Sequence, residues 1–320
     1  MADEFDLIAR YFAGLTALGP SVCQGIGDDC ARVQVPAGHE LALSIDTLTE
    51  GVHFPACTDP ADVGWKTLAC GLSDLAAGGA EPAWCLLALG LPAADSDWLT
   101  GLARGLGEAA TAYGVSLIGG DTTRSACRSL TLQIGGLIPR GQVLSRAGAR
   151  PGDLVCVSGA PGEAAMALHQ LQARGEATAA LRKRLDRPSP RVALGQRLRG
   201  SASACIDVSD GLGADAAHIA HASGVELRLE AERLPISPAL AEAAAASDRS
   251  ARDWLLHGGD DYELCFTIAA SDWAALQAAG KLPAPVTMIG HVRAGAGVTL
   301  QLEDGTVRGL EQGGYRHFAG

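Results

Sequence analysis

Aromatic side chains make up only 4% of this 320-residue chain, and its 25 Lys and Arg are outnumbered by 36 Asp and Glu. The first scarcity means that the cores must be built mainly from Ala, Leu and Val, within an apolar share of 48% that fits an ordinary globular chain. The second leaves a formal net charge of −11 and argues against a broad nucleic-acid or membrane-surface role. It leaves room for an anionic substrate if cations are recruited locally. Long hydrophobic runs are missing too. The longest uncharged run, Tyr11–Gly27, is broken by Pro20 and several glycines and falls short of the roughly 18–20 residues a membrane span needs. The start, Met1-Ala2-Asp3-Glu4-Phe5-Asp6, has neither the basic segment nor the apolar stretch of a secretory signal. The nine cysteines stand singly, with no C-x-x-C pair. Of these, Cys85, Cys156, Cys205 and Cys265 lie in apolar runs and read as small core residues. A reducing cytoplasm is the expected compartment.

Several motifs are absent as well. There is no G-x-x-x-x-G-K-[ST] loop, no kinase-type glycine loop, no H-R-D and no G-x-S-x-G elbow. Any nucleotide chemistry here does without the two commonest kinase architectures. No EF-hand spacing occurs, so a dedicated calcium loop is not expected.

The length suggests two domains, each able to bury its own core. In the first half, Trp65, Leu68, Ala69, Leu72 and Ala76 recur at helical spacing and predict a helix over 60–77, with Asp59 as N-cap and Pro60 in the first turn. A second helix is expected over 97–113, ended by Gly114, and strands near 41–45, 115–118 and 130–138. The Gly/Pro-containing stretch Arg146–Asp153 reads as a hinge, which divides the chain into domains 1–148 and 149–320. The second half alternates again, with strands near 154–157, 204–208, 262–268, 286–291 and 298–302 and helices near 163–172, 214–222 and 239–246. The expected class is α/β. Leu117-Ile-Gly-Gly-Asp121 echoes Leu256-His-Gly-Gly-Asp260, a weak sign of duplicated halves.

What stands out is aspartate, usually beside glycine, at the ends of apolar strands. Five places carry it: Gly25–Asp29, Ser44–Thr47, Gly119–Thr123, Asp207–Gly211 and Gly258–Asp261. Asp74, on or beside the first helix, adds another carboxylate. Any one of these could be an ordinary turn or cap. Five together suggest more, because converging carboxylates repel one another unless cations or protons neutralise them. Oxygen donors without Cys or His select a hard ion, Mg²⁺ before Zn²⁺, and Mg²⁺ is usually shared with substrate phosphates. The neighbouring glycines would let backbone N–H groups approach phosphate oxygens. Other features have plainer readings. His218 and His221 fit a solvated helix face, Arg182–Arg187 a charged helix end, and Trp65, Trp84 and Trp254 core or groove positions.

Gly25-Ile-Gly-Asp-Asp-Cys-Ala31, Asp46-Thr-Leu-Thr-Glu-Gly-Val-His53-Phe54 and Ser73-Asp-Leu-Ala-Ala77 resemble the thiamine-monophosphate kinase family. So do Gly119–Arg124, Ile206–Leu212, Gly258–Leu264 and Gly314-Tyr-Arg-His-Phe318, in order along nearly the whole chain. Each block alone also fits the wider aminoimidazole ribonucleotide synthetase superfamily; the combination, with His53-Phe54 and the tail, fits the thiamine enzymes. The resemblance implies a two-domain synthetase-like fold, with an N-terminal sheet shared across a homodimer and a C-terminal α/β domain. It implies transfer of a phosphoryl group from ATP to thiamine monophosphate, with several Mg²⁺ ions. Asp29, Ser44, Asp46, Asp74, Asp121, Asp207 and Asp210 would be the magnesium ligands, with Asp46, Asp121 and Asp210 at the heart of catalysis. Gly120, Asp121, Arg146 and Ser209 would contact ATP, and His53, Asp260 and Tyr315 the thiamine phosphate. Two positions depart from the pattern: Ile45 stands where Thr is frequent, and Asp260 where Glu is usual. The alternatives are another ATP-using synthetase of the superfamily and a non-catalytic nucleotide-binding protein.

Overall fold

A computed structural model describes residues 4–310. The chain forms two compact units, one made of the described residues up to Leu75 with Ala80–Gly141, the other of Ala76–Gly79 with Gln142 onward.

The first unit contains α1 (Glu4–Leu7), β1 (Val22–Gln24), β2 (Arg32–Val33), β3 (His39–Thr49), α2 (Pro60–Ala77), β4 (Glu81–Leu91), α3 (Ser96–Tyr113), β5 (Ser116–Arg124) and β6 (Ser129–Pro139). Its four-stranded sheet has the order β3-β6-β4-β5. As expected, α2 spans 60–77, and the Asp59 carboxylate accepts from Ala61 N–H at 2.8 Å. Asp95 caps α3, and Gly114 ends it in the left-handed conformation at φ 68°. Glycine sets how closely these helices cross. A Cβ at Gly105 would lie 1.7 Å from the Ala61 carbonyl oxygen, and one at Gly64 would lie 2.2 Å from that of Leu102. Gly71 likewise brings α2 against Leu132 and Ile134 of β6.

The pairing of β3 with β6 sets Ser44 opposite Ile134 and Asp46 opposite Leu132, so both polar residues face α2. Leu43 and Ile45 alternate to the outer face, where they are 61% and 65% exposed. Asp46 and Asp121 therefore lie inside strands, not at strand ends as the sequence suggested. The sequence reading also passed over β4, a central strand that starts beside Pro82, buried along one face and open at Ala88 on the other.

The second unit contains β7 (Leu154–Ser158), α4 (Glu163–Arg174), α5 (Ala179–Asp186), α6 (Val192–Leu198), β8 (Ala202–Val208), α7 (Leu212–Ser223), β9 (Glu226–Glu230), α8 (Pro238–Ala244), α9 (Ala251–His257), β10 (Glu263–Ile268), α10 (Ala270–Ala278), β11 (Val286–Arg293), β12 (Gly297–Gln301) and β13 (Val307–Gly309). Its seven-stranded sheet has the order β13-β12-β9-β11-β7-β10-β8 and is antiparallel except for the parallel β12–β9 pair. Val155, Val157, Ile206, Leu227, Leu229 and Ile289 form the sheet's share of a core completed by helices including α4, α7 and α9. The end of β7, the end of β8 and the start of β10 lie side by side, because Cys265 pairs with Val157 and Glu263 with Val208.

That end of the sheet is held by a buried ion cluster. The fully buried Glu263 accepts from Arg191 Nε and Nη2 at 2.6 and 2.5 Å, from Arg184 Nη2 at 2.7 Å and from Ser158 Oγ at 2.5 Å. Burial alone would raise the Glu263 carboxyl, but Arg191, Arg184 and Ser158 together hold it below its ordinary value.

Candidate functional site

In the first unit, one polar patch lies between the sheet and α2. Ser44 Oγ donates to Asp74 Oδ2, and Asp46 is hydrogen-bonded to the same carboxyl. Burial, then the Asp74 charge and this hydrogen bond, push the Asp46 carboxyl from its ordinary 3.8 up to about 6. Two carboxylates are thus held in contact with no basic side chain among the causes of the shift. The loop after β3 carries His53, whose Nδ1 accepts from Thr49 N–H at 3.0 Å, so the neutral ring carries its proton on Nε2. The buried Lys66 of α2 donates to the His53 carbonyl at 3.3 Å and ties the loop to the helix.

A second group lies on the sheet's other face. Asp121 pairs in register with Ala88, Ala88 with Thr131, and Thr131 with Thr47, all on the side away from α2. There a groove of about 990 Å³ is floored by Ile45, Trp84, Leu86 and Gln133, with Asp29, Gly120 and Asp121 along it. Gly120 admits no other residue, since a Cβ would sit 1.8 Å from the Leu87 carbonyl oxygen. The Asp121 carboxylate turns to nearby backbone, with Oδ1 accepting from Thr122 N–H at 2.9 Å, and Asp29 N–H donates to Asp28 Oδ1 at 2.8 Å. Asp46 and Asp74 therefore stand on one side of the sheet and Asp29 and Asp121 on the other. Among the described residues, no three His, Cys, Asp or Glu side chains converge on one point that could hold an ion.

The second unit brings Asp207, Ser209, Asp210 and Asp260 together through two adjoining loops. Asp207 lies in β8, next to its last residue, and is buried. Asp215, in the first turn of α7, accepts from Ser209 N–H and Asp210 N–H, both at 3.0 Å. Burial drives the Asp215 carboxyl up to about 7, although the Asp210, Ser209 and Gly211 N–H groups pull the other way. The second loop is stitched to the first: Asp260 N–H donates to the Ser209 carbonyl and Tyr262 N–H to that of Val208, both at 2.8 Å. Asp261 is buried and accepts from Gly162 N–H with both oxygens, at 2.9 and 2.8 Å. Burial holds its carboxyl well above the usual range against the pull of that N–H and of Arg184.

Arg146 is exposed, and its carbonyl accepts from Ser223 Oγ at 3.3 Å. Tyr315 lies outside the described residues. Sequence reasoning passed over Lys66, Asp215 and Tyr262. Of these, Asp215 had a signal, since a carboxylate in the first turn after Ser-Asp-Gly is a cap in search of N–H groups. Tyr262 had none, because its backbone conformation is not visible in its type.

Residues 27–138 match the N-terminal domain of AIR synthase related proteins, and residues 150–303 match their C-terminal domain. The order and content of the two units are those of that class. The chain is 46% identical to a thiamine-monophosphate kinase of Salmonella typhimurium, over 99% of this chain and 98% of that one. The crystal structure of thiamine-monophosphate kinase from Stenotrophomonas maltophilia superimposes with a TM-score of 0.85 at 48% identity, covering 94% of this chain and 96% of that one. AaThiL complexed with AMPPCP and TMP superimposes with a TM-score of 0.80 at 33% identity, covering 98% and 97%. Within its class, the chain belongs to the thiamine-monophosphate kinase family.

Proposed function

We propose that the protein transfers the γ-phosphoryl group of ATP to the phosphate of thiamine monophosphate, releasing ADP and thiamine diphosphate. The observation that carries this at the site is the Ser44–Asp46–Asp74 patch, where two carboxylates are pressed together beside a hydroxyl. Such a donor set suits Mg²⁺, which its ordinary chemistry would leave sharing phosphate oxygens with the protein. Asp29, Ser44, Asp46, Asp74, Asp121, Asp207 and Asp210 are the residues we assign to hold several such ions, Asp46 and Asp74 on one face of the first sheet and Asp29 and Asp121 on the other. Bound there, Mg²⁺ would neutralise the charge of two polyanions brought together.

The chain's own residues do the rest. The acceptor is already an oxyanion at neutral pH, so no general base is needed. Gly120, Asp121, Arg146 and Ser209 are assigned to ATP, Ser209 on a loop already pinned by Asp215. His53, Asp260 and Tyr315 are assigned to thiamine monophosphate. We take 1–148 and 149–320 as the functional domains, and the cytoplasm as the place of work. The exposed apolar stripe of Leu41, Leu43 and Ile45 on an edge strand is assigned to contact with a second copy of the chain.

A coupled ADP-release assay with Mg²⁺ and ATP tests the reading, comparing thiamine monophosphate, thiamine and no acceptor. Turnover with the monophosphate alone, yielding thiamine diphosphate, is expected. Saturable nucleotide binding with no turnover on any of the three would overturn it in favour of a relative with another acceptor.

A further inference from the structure

Among the described residues, the non-glycine positions with positive φ are Asp260, at 67°, and Tyr262, at 54°. A bulky residue such as tyrosine rarely adopts this conformation, so something must hold the pair there. Their N–H groups are bound to the Ser209 and Val208 carbonyls, as described above. Between them Asp261 is locked on Gly162. A Cβ at Gly259 would lie 2.4 Å from the Ser209 carbonyl oxygen, so the two loops lie closer than any side chain at this position would allow. The result brings two side chains together: Tyr262 Oη donates to Asp260 Oδ1 at 2.9 Å, while the tyrosine is only 7% exposed.

We propose that Tyr262 is a positioning residue which sets the plane of the Asp260 carboxylate toward the thiamine phosphate. The inference rests on the assignment of Asp260 to that site. The physical need is specific. The last torsion of an aspartate is broad, so an unheld carboxylate samples many planes. A hydroxyl bound to one oxygen picks one of them, and such charge-assisted bonds are among the stronger ones. The usual glutamate at this position would reach one methylene further. A shorter aspartate held in one plane loses less of its effectiveness than one left to rotate. The strained backbone at both residues is what allows the phenol, two residues on, to fold back onto the carboxylate.

The test is a double-mutant cycle on the full-length enzyme, with Tyr262→Phe, Asp260→Ala and the double variant. Steady-state KM is measured separately for thiamine monophosphate and ATP. Tyr262→Phe should raise KM for thiamine monophosphate roughly tenfold, as loss of one hydrogen bond to a charged group would, with KM for ATP unchanged. In the Asp260→Ala background the same substitution should add nothing, which a merely structural tyrosine would not produce. Equal effects in both backgrounds, or a rise in both KM values together, would overturn the inference. So would an unchanged KM in Tyr262→Phe when Asp260→Ala alone raises it. If Asp260→Ala leaves KM for thiamine monophosphate unchanged, the assignment of Asp260 fails and takes the inference with it. A thermal melt of each variant separates these results from unfolding.

Discussion

At the scale of single residues, the Asp46–Asp74 pair carries the clearest demand. Two carboxylates in contact are a liability for folding and become useful only when a cation joins them. Replacing Asp46 by Ala should therefore abolish turnover while circular dichroism and melting stay those of a folded protein. Wild-type-like turnover in this variant would remove the patch from the mechanism. Asp261 makes a different prediction, because its carboxyl is raised well above the ordinary 3.8 by burial. Between the two values the folded state holds a proton that the unfolded state has lost, so stability falls as pH rises through that range. Asp261→Asn, neutral at all pH, should flatten the decline of melting temperature with rising pH. A pH profile parallel to that of the wild type would show that the carboxyl is charged after all. Much of this scale was legible in the sequence. Asp210 and Asp260 could be singled out because they adjoin glycine, and Asp46 and Asp74 because aspartate is poor strand or helix material amid apolar residues. Tyr262 could not, because what marks it is a backbone angle.

At the scale of elements, close approach matters more than residue type. The crossing of α2 and α3 depends on Gly64 and Gly105 facing backbone carbonyls. Gly105→Ala has no flexible neighbour to yield, and the helices must part. A loss of about 1–3 kcal/mol in unfolding free energy is expected from denaturant titration, the range typical of overpacking. A change below a few tenths would mean the helices slide freely. The helices themselves were readable, since α2 and α3 carry periodic apolar faces with recognisable caps. The strand β4 was not, because its residues are apolar on both faces, which hides any alternation, and Pro82 argues against a strand. Nor could the sequence say that Asp46 and Asp121 sit within strands, since parity along a strand shows only once a register exists.

At the scale of the whole molecule, the outer face of the first sheet leaves apolar side chains in water. Leu41, Leu43 and Ile45 are 40%, 61% and 65% exposed on an edge strand. Ile45→Lys should shift the protein toward a monomer in sedimentation velocity without lowering its melting temperature by more than the loss of dimerisation explains. An unchanged sedimentation coefficient would free that face from any role in self-association. The division into two units was suggested by length and by the Gly/Pro-containing stretch near residue 150. The antiparallel character of the second sheet was not, because the strand–helix alternation does not fix how distant strands pair.

The strand β3 carries two patterns at once. Its odd positions hold Leu41, Leu43 and Ile45, and its even positions hold Ser44 and Asp46, so a single strand spells two interleaved words. Deleting one residue ahead of Leu41 leaves both words intact if the loop absorbs it. Inserting one between Leu43 and Ser44 exchanges their readers. Part of the apolar stripe would then turn to the carboxylate patch, or the carboxylates to the outer face. A substitution in this strand damages one surface, whereas a single-residue insertion or deletion inside it damages two at once. The reading frame of the strand is under stricter constraint than any letter in it.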